Sequence, residues 1–239
     1  MQEQFARTAM LLGQAAVEKL AKSRVAVFGI GGVGGFACEA LVRSGVGMLD
    51  IVDHDKVSLT NLNRQIIALH STVGQYKTDV MASRIRDINP ACKVNAHRMF
   101  FLPETEDSFA FEQYDYVIDA VDTVTAKIAL VLRCGEAGTP IISSMGAGNK
   151  LNPSAFEVAD IYATSVDPLA RVMRRELKKR QVNALKVVYS KEKPLQDANA
   201  LPSADTARKK APPGSVAFVP SAAGLVLASE VVKDLIAMG

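Results

Sequence analysis

Apolar and polar positions follow two rhythms along the first 150 residues: compact β-branched runs, and longer stretches in which apolar residues recur every three or four positions. Arg24-Val25-Ala26-Val27-Phe28 is a short run ending in a glycine-rich turn. Val33 to Ser44 then keeps helical spacing, with Gly45 placed to stop it. Met48-Leu49-Asp50-Ile51-Val52 reads as a second strand. Met81, Ile85 and Ile88 set a further helix, closed by Asn89-Pro90 because the residue before proline avoids the α region. Tyr116-Val117-Ile118-Asp119-Ala120 and Pro140-Ile141-Ile142-Ser143-Ser144 read as buried strands flanking a helix from about Val124 to Ala137. Strand and helix in alternation imply an α/β fold, a doubly wound, Rossmann-like, mostly parallel sheet whose ligand lies at the carboxyl ends of the strands.

Beyond Gly146-Ala147-Gly148-Asn149-Lys150 the rhythm changes. Phe156 to Tyr162 and Leu185 to Tyr189 look like strands around a helix at 169–180. From 191 to 214 the chain is mostly Lys, Pro, Ala, Asp and Ser, with Pro194, Pro202, Pro212 and Pro213, which predicts a mobile crossover loop. Gly214 to Met238 returns to an apolar strand and helix. The expected organisation is a nucleotide-binding domain at 1–150 and a smaller C-terminal α/β extension at 151–239 that completes the sheet.

Composition narrows the class. The chain has 239 residues, 49% hydrophobic, enough for one large core, and its longest apolar run is far shorter than the ~20 residues of a spanning helix. Met1 to Leu20 carries Glu3, Arg7 and Glu18 and lacks the layout of a signal peptide, so no membrane association and a cytoplasmic location are expected. Cys38, Cys92 and Cys134 form no Cys-x-x-Cys pair, which argues against a disulfide framework or a structural zinc site. A net charge of +3 is too small by itself to indicate nucleic acid.

The chemistry gathers after the strands. Gly29, Gly31, Gly32 and Gly34 fall in Gly29-Ile30-Gly31-Gly32-Val33-Gly34, where a backbone can pass close to phosphates and a helix N-terminus faces negative charge. Asp53, ending the second strand, can accept hydrogen bonds from ribose hydroxyls, of NAD or of ATP equally. Asp55, Asn61, Arg64 and Gln65 follow in a stretch too polar for a core helix. Asn61 and Arg64, three apart, would share a helical face and address one phosphate chain. Lys77 adds a point charge near the next helix start. Asp122 stands where a carboxylate can hold Mg2+ between phosphate oxygens; Asp119 could do the same, spacing does not choose between them, and either can instead cap the following helix. An NAD-dependent oxidoreductase would use the glycines and Asp53 but leave Arg64, Lys77 and Asp122 without work. A non-catalytic nucleotide-binding module is a further reading.

The glycine loop, Asp53, the run Ser58 to Gln65, Val73-Gly74-Gln75-Tyr76-Lys77 and Asp119-Ala120-Val121-Asp122 together resemble the adenylating domain of the ThiF/MoeB superfamily, the ubiquitin-activating-like enzymes, over about Gln4 to Met145. The resemblance implies a homodimer, ATP and Mg2+, and an acyl-adenylate made from a carboxylate. It also implies charge stabilisation by Arg64, Lys77 and Asp122, joined by Arg7 of the partner subunit.

In the second half, Ser143 to Lys150, Thr164 to Ala170, Val172 to Arg180 and Lys186 to Pro194 resemble the tRNA threonylcarbamoyladenosine dehydratases. That family closes the threonyl side chain of a modified adenosine beside the tRNA anticodon into a ring, with loss of water. The implied partner is a tRNA bearing threonylcarbamoyladenosine, and a sulfur-transfer accessory protein is left open. Residue chemistry agrees in two respects. No cysteine follows Cys134, which excludes a thioester from the distal half and weakens the alternative, an activator of a small ubiquitin-like sulfur-carrier protein. Arg171, Arg174, Arg175, Lys178 and Lys179, with Arg180, also give one helix a basic face suited to tRNA phosphates, to which Lys209 and Lys210 can add.

Overall fold

A computed structural model describes residues 3–195 and 213–237. In chain order the elements are α1 (Ala6–Leu12), α2 (Gln14–Leu20), β1 (Arg24–Phe28), α3 (Gly34–Ser44), β2 (Met48–Val52), α4 (Lys77–Ile88), β3 (Lys93–His97), β4 (Tyr116–Asp119), α5 (Val124–Ala137), β5 (Ile141–Ser144), β6 (Phe156–Asp160), α6 (Pro168–Lys179), β7 (Lys186–Ser190) and α7 (Phe218–Ala237). The strands form one seven-stranded sheet in the order β3-β2-β1-β4-β5-β7-β6. All neighbours are parallel except the edge pair β6 and β7. The order reverses between β1 and β4, so a crevice opens at their carboxyl ends, the usual ligand position of a doubly wound sheet.

The apolar runs are continuous because both faces of the sheet are covered. Side chains alternate across the strand: Val25 and Val27 of β1, with Tyr116 and Ile118 of β4, join the core of α3, α4 and α7, whereas Ala26, Phe28 and Val117 point to the α5 side. There Phe28 meets Phe101 and Phe109 edge-on, at 5.0 and 5.2 Å between centroids. Gly45 ends α3 at φ 100°, its N–H bonding back to Leu41 and Val42 carbonyls, as its position predicts.

Two sequence expectations change, and one strand is unannounced. The strand expected after Gly214 is absent; the described C-terminal segment is one helix, α7, packed on α3. Its apolar run follows helical demand, with Ala223, Leu227, Ala228 and Val231 buried. The polar stretch after Ser58 is a 3-10 turn at Leu59–Asn61 rather than an α-helix, so Asn61 and Arg64 do not share a helical face. β3 lies on the sheet edge and half in solvent, so Lys93–His97 carries no apolar run to announce it. Residues 196–212 of the expected crossover loop, with Lys209 and Lys210, lie outside the described residues. No helix among the described residues is long and apolar enough to cross a membrane.

Candidate active site

A cleft of about 580 Å3 occupies the crevice, and Gly29, Gly31, Gly32, Asp53, Asp55, Asn61, Arg64, Gln65, Lys77 and Asp122 all line it. Backbone geometry explains the glycines. Gly29 has φ +91°, and a Cβ there would lie 2.6 Å from the Ala120 carbonyl oxygen; one on Gly34 would lie 1.8 Å from the Gly29 oxygen. These two glycines let the loop lie against the β4 exit and let α3 start beneath it. Gly31 differs: a Cβ would meet only Gln65 Nε2, at 3.9 Å, so its bare face belongs to the cleft. An open backbone cradle above a helix N-terminus suits phosphate oxygens.

On the β2 side, Asp53 is held by the backbone. Its Oδ2 accepts from Ile30 N at 2.7 Å and its Oδ1 from Asp55 N at 2.8 Å. The carboxylate thus ties the strand end to the glycine loop and keeps lone pairs for ribose hydroxyls. Lys77, at the first position of α4 and 7% exposed in its side chain, reaches Asp55 Oδ2 at 2.6 Å and Asp53 Oδ2 at 3.7 Å. The grouped carboxylates and imidazole of Asp53, His54 and Asp55 therefore already hold an ammonium, which disfavours a cation at that end.

Arg64 brings positive charge to the same cleft. Arg64 is half-buried; its Nη1 donates to the Thr60 carbonyl at 2.8 Å and to Asn63 Oδ1 at 2.9 Å, and no carboxylate pairs with it among the described residues. Burial lowers its pKa from the ordinary guanidinium value. Gln65 is buried beside it, with Oε1 lacking a hydrogen-bond partner. Asn61 accepts from Ser58 N at 3.0 Å, closing the 3-10 turn and holding its amide against the cleft. An uncompensated guanidinium, together with the Gln65 Nε2 donor 3.9 Å from where a Gly31 Cβ would lie, fits a polyphosphate ligand.

The structure chooses between the two aspartates. Asp119 is fully buried and paired with Lys127 Nζ at 3.0 Å. Asp122 is exposed on the cleft, with Thr123 Oγ1 at 3.2 Å from its Oδ1. Thr123, not Asp122, occupies the N-cap of α5. One free carboxylate beside phosphate oxygens is a usual protein contribution to Mg2+. Asp122 therefore fits that ion, and Asp119 does not.

Arg7 is exposed on α1 and does not line the cleft. The basic helix forms, but its charges differ in availability. Arg174 donates to the Thr164 carbonyl at 3.0 Å and to the Thr164 hydroxyl. Glu176 accepts from Lys179, Arg180 and Arg175 at 3.0, 3.0 and 3.2 Å, and these bonds, Lys179 and Arg180 foremost, bring its pKa down to about 2. Arg171 and Lys178 are exposed and have no such partner among the described residues. The helix is pinned to the cleft: its N-cap Asp167 pairs at 2.7 Å with buried Lys150, whose Nζ also donates to the Gly146 carbonyl, and Ala147 and Gly148 line the cleft.

The sequence reading missed Met99, Phe100 and Phe101, which wall the cleft after the unannounced edge strand, with the His54 ring edge-on to Phe100 at 4.5 Å. It also missed Lys127, although a lysine inside the apolar run Ala126 to Val131 is a legible signal.

The ThiF family pattern matches residues 5–238. The chain is similar to the tRNA threonylcarbamoyladenosine dehydratase of Bacillus subtilis (strain 168), with 48% identity over 243 residues, 99% of this chain and 96% of that protein. It also resembles the crystal structure of E. coli tRNA N6-threonylcarbamoyladenosine dehydratase in complex with ATP: TM-score 0.88, 35% identity, 99% of this chain and 95% of that one. The same E. coli protein with AMP gives a TM-score of 0.87 at 36% identity, with the same coverage.

Proposed function

The chain belongs to the ThiF family, and from that premise we propose that it is an ATP-dependent tRNA threonylcarbamoyladenosine dehydratase. Water is a poor leaving group from a carboxylate, and AMP is a good one. The threonyl carboxylate of the modified adenosine attacks the α-phosphate of ATP, pyrophosphate leaves, and an atom of the same side chain captures the activated carbonyl with loss of AMP. The net change is removal of one water, without a protein nucleophile. That suits the chain's three cysteines, all buried, two of them, Cys38 and Cys134, with thiols pushed far above the usual range by burial.

The observation that carries the reading is the half-buried Arg64 guanidinium, without a carboxylate partner among the described residues, in the same cleft as the bare Gly31 backbone. Arg64 neutralises charge on the phosphates, and Lys77 turns from Asp55 toward them once a triphosphate enters. Gly31 and Gly32 admit the phosphate chain, and Asp53 receives the ribose. Asp122 would hold Mg2+, which when bound supplies charge neutralisation on phosphate oxygens.

Arg7 acts from the partner subunit of a homodimer. Its helix leaves Met10 85% and Leu11 84% exposed, an apolar face that a second copy would cover. Arg171, Arg175, Lys178 and Lys179 receive tRNA phosphates in the cytoplasm, with Arg174 supporting the helix from below. The rival, activation of a sulfur-carrier protein, shares the ATP chemistry but finds no accessible cysteine here.

The test is AMP formation from ATP by the full chain with tRNA carrying threonylcarbamoyladenosine. AMP should appear only with that tRNA, and Arg64→Ala should abolish it while keeping the wild-type circular dichroism spectrum. AMP release by Arg64→Ala at the wild-type rate would defeat the assignment.

A further inference from the structure

Lys127 lies on α5 with no exposed side-chain surface, inside a helix face otherwise built of Ala126, Leu130 and Val131. Burying an ammonium is costly unless every donor is used. Here its Nζ donates to Asp119 Oδ2 at 3.0 Å, Ser143 Oγ at 3.3 Å and the Ser144 carbonyl at 2.7 Å. The Ser143 hydroxyl in turn donates to Asp119 Oδ2 at 2.5 Å, and Asp119 Oδ1 accepts from Val121 N at 3.2 Å.

Two adjacent strand ends meet on this one ammonium. Asp119 ends β4, and through Val121 its carboxylate shapes the segment that carries Asp122 into the cleft. Ser144 ends β5, and the chain runs on through Met145 and Gly146 to Ala147 and Gly148, which also line the cleft. The β4 exit also touches the phosphate cradle, since a Cβ on Gly29 would strike Ala120. A packing role alone would be met by an apolar side chain of similar volume, without the desolvation of two charges.

We propose that Lys127 is a positioning residue for adenylation, fixing the Asp122 segment relative to the 146–148 turn by gripping Asp119 and the Ser144 carbonyl at once. Asp119 and Ser143 are its relays. None of the three touches the cleft, so their effect falls on the alignment of reacting groups rather than on ATP affinity. This inference rests on the adenylation reading above.

Two variants of the full chain test it. Lys127→Met alone strands a buried carboxylate and can fail to fold, so it is combined with Asp119→Asn. Ser143→Ala removes one relay without altering charge. The measurement is kcat for AMP formation on modified tRNA, set beside ATP Kd by calorimetry and the folded fraction by circular dichroism. Misplacement by a fraction of an ångström should lower kcat about tenfold in the double variant and about threefold in Ser143→Ala, with ATP Kd within about twofold of wild type. An unchanged kcat per folded molecule in Ser143→Ala, or a loss confined to ATP Kd or thermal stability in either variant, would overturn it. Wild-type protein that makes no AMP would instead defeat the adenylation reading itself.

Discussion

Gly31→Ala and Gly34→Ala look alike in sequence, but the structure separates them. At Gly31 the new Cβ meets one side-chain nitrogen, Gln65 Nε2, at 3.9 Å, an ordinary contact, and no positive φ is involved. Folding should then gain from the smaller conformational entropy of the unfolded chain, about 0.4–1 kcal/mol. At about 2–4 °C per kcal/mol for a chain of this size, that is a Tm rise of roughly 1–4 °C. The same methyl fills the face where phosphate oxygens approach the backbone. ATP affinity should fall at least about tenfold, near 1.4 kcal/mol. At Gly34 the Cβ would sit 1.8 Å from the Gly29 oxygen, backbone against the helix start, and the loop must move. The cost should exceed the ~1–3 kcal/mol of ordinary overpacking, a Tm drop of several degrees. Thermal melts with and without ATP, together with calorimetric titration, read both quantities. Gly31→Ala that binds ATP like wild type, or melts well below it, would refute the assignment of that face to the nucleotide.

Asp122→Asn should keep Tm within about 1 °C, because the side chain is exposed, yet remove most AMP formation; Asp119→Asn should instead lower Tm by several degrees, since it leaves Lys127 buried without its counter-charge. Reversing the two unpaired charges on α6, Arg171→Glu with Lys178→Glu, should weaken tRNA binding across sequences and reduce the salt slope by about 2 in filter-binding assays, with ATP affinity unchanged. Asp50 pairs with Arg24 at 2.8 Å and lies 3.1 Å from His97; burial raises its pKa, but the hydrogen bonds from His97 and Arg24 outweigh that and leave it lowered. A lowered carboxylate pKa contributes stability above its unfolded value near 4, lost as pH falls through the folded value. Asp50→Asn should therefore flatten the acid limb of Tm against pH below about pH 4, and an unchanged limb would count against it.

The parallel core was legible because strands covered on both faces are mostly apolar, as β1, β2 and β4 are, with polar residues such as Asp119 and Ser143 at or near the strand ends. The edge strand β3 was not, since three of its five residues are exposed, none is fully buried, and Lys93, Asn95 and His97 need no core. The cleft residues were legible as a set through the glycine spacing and the polar run from Asp53 to Gln65. Their roles needed coordinates. Asp119 and Asp122 are interchangeable by spacing; burial against Lys127 for the first and exposure on the cleft for the second separate them. Arg174 and Arg171 likewise share one predicted face, yet Thr164 engages the first and leaves the second to solvent. The strand expected after Gly214 was misread because an apolar run without strict alternation suits a buried helix equally well.

The most direct measurement is mass analysis of nucleosides from tRNA incubated with the full chain, with and without ATP and Mg2+. ATP-dependent conversion of threonylcarbamoyladenosine to a product lighter by one water is the predicted result. Unchanged threonylcarbamoyladenosine in modified tRNA, with ATP present and the protein folded, would contradict it.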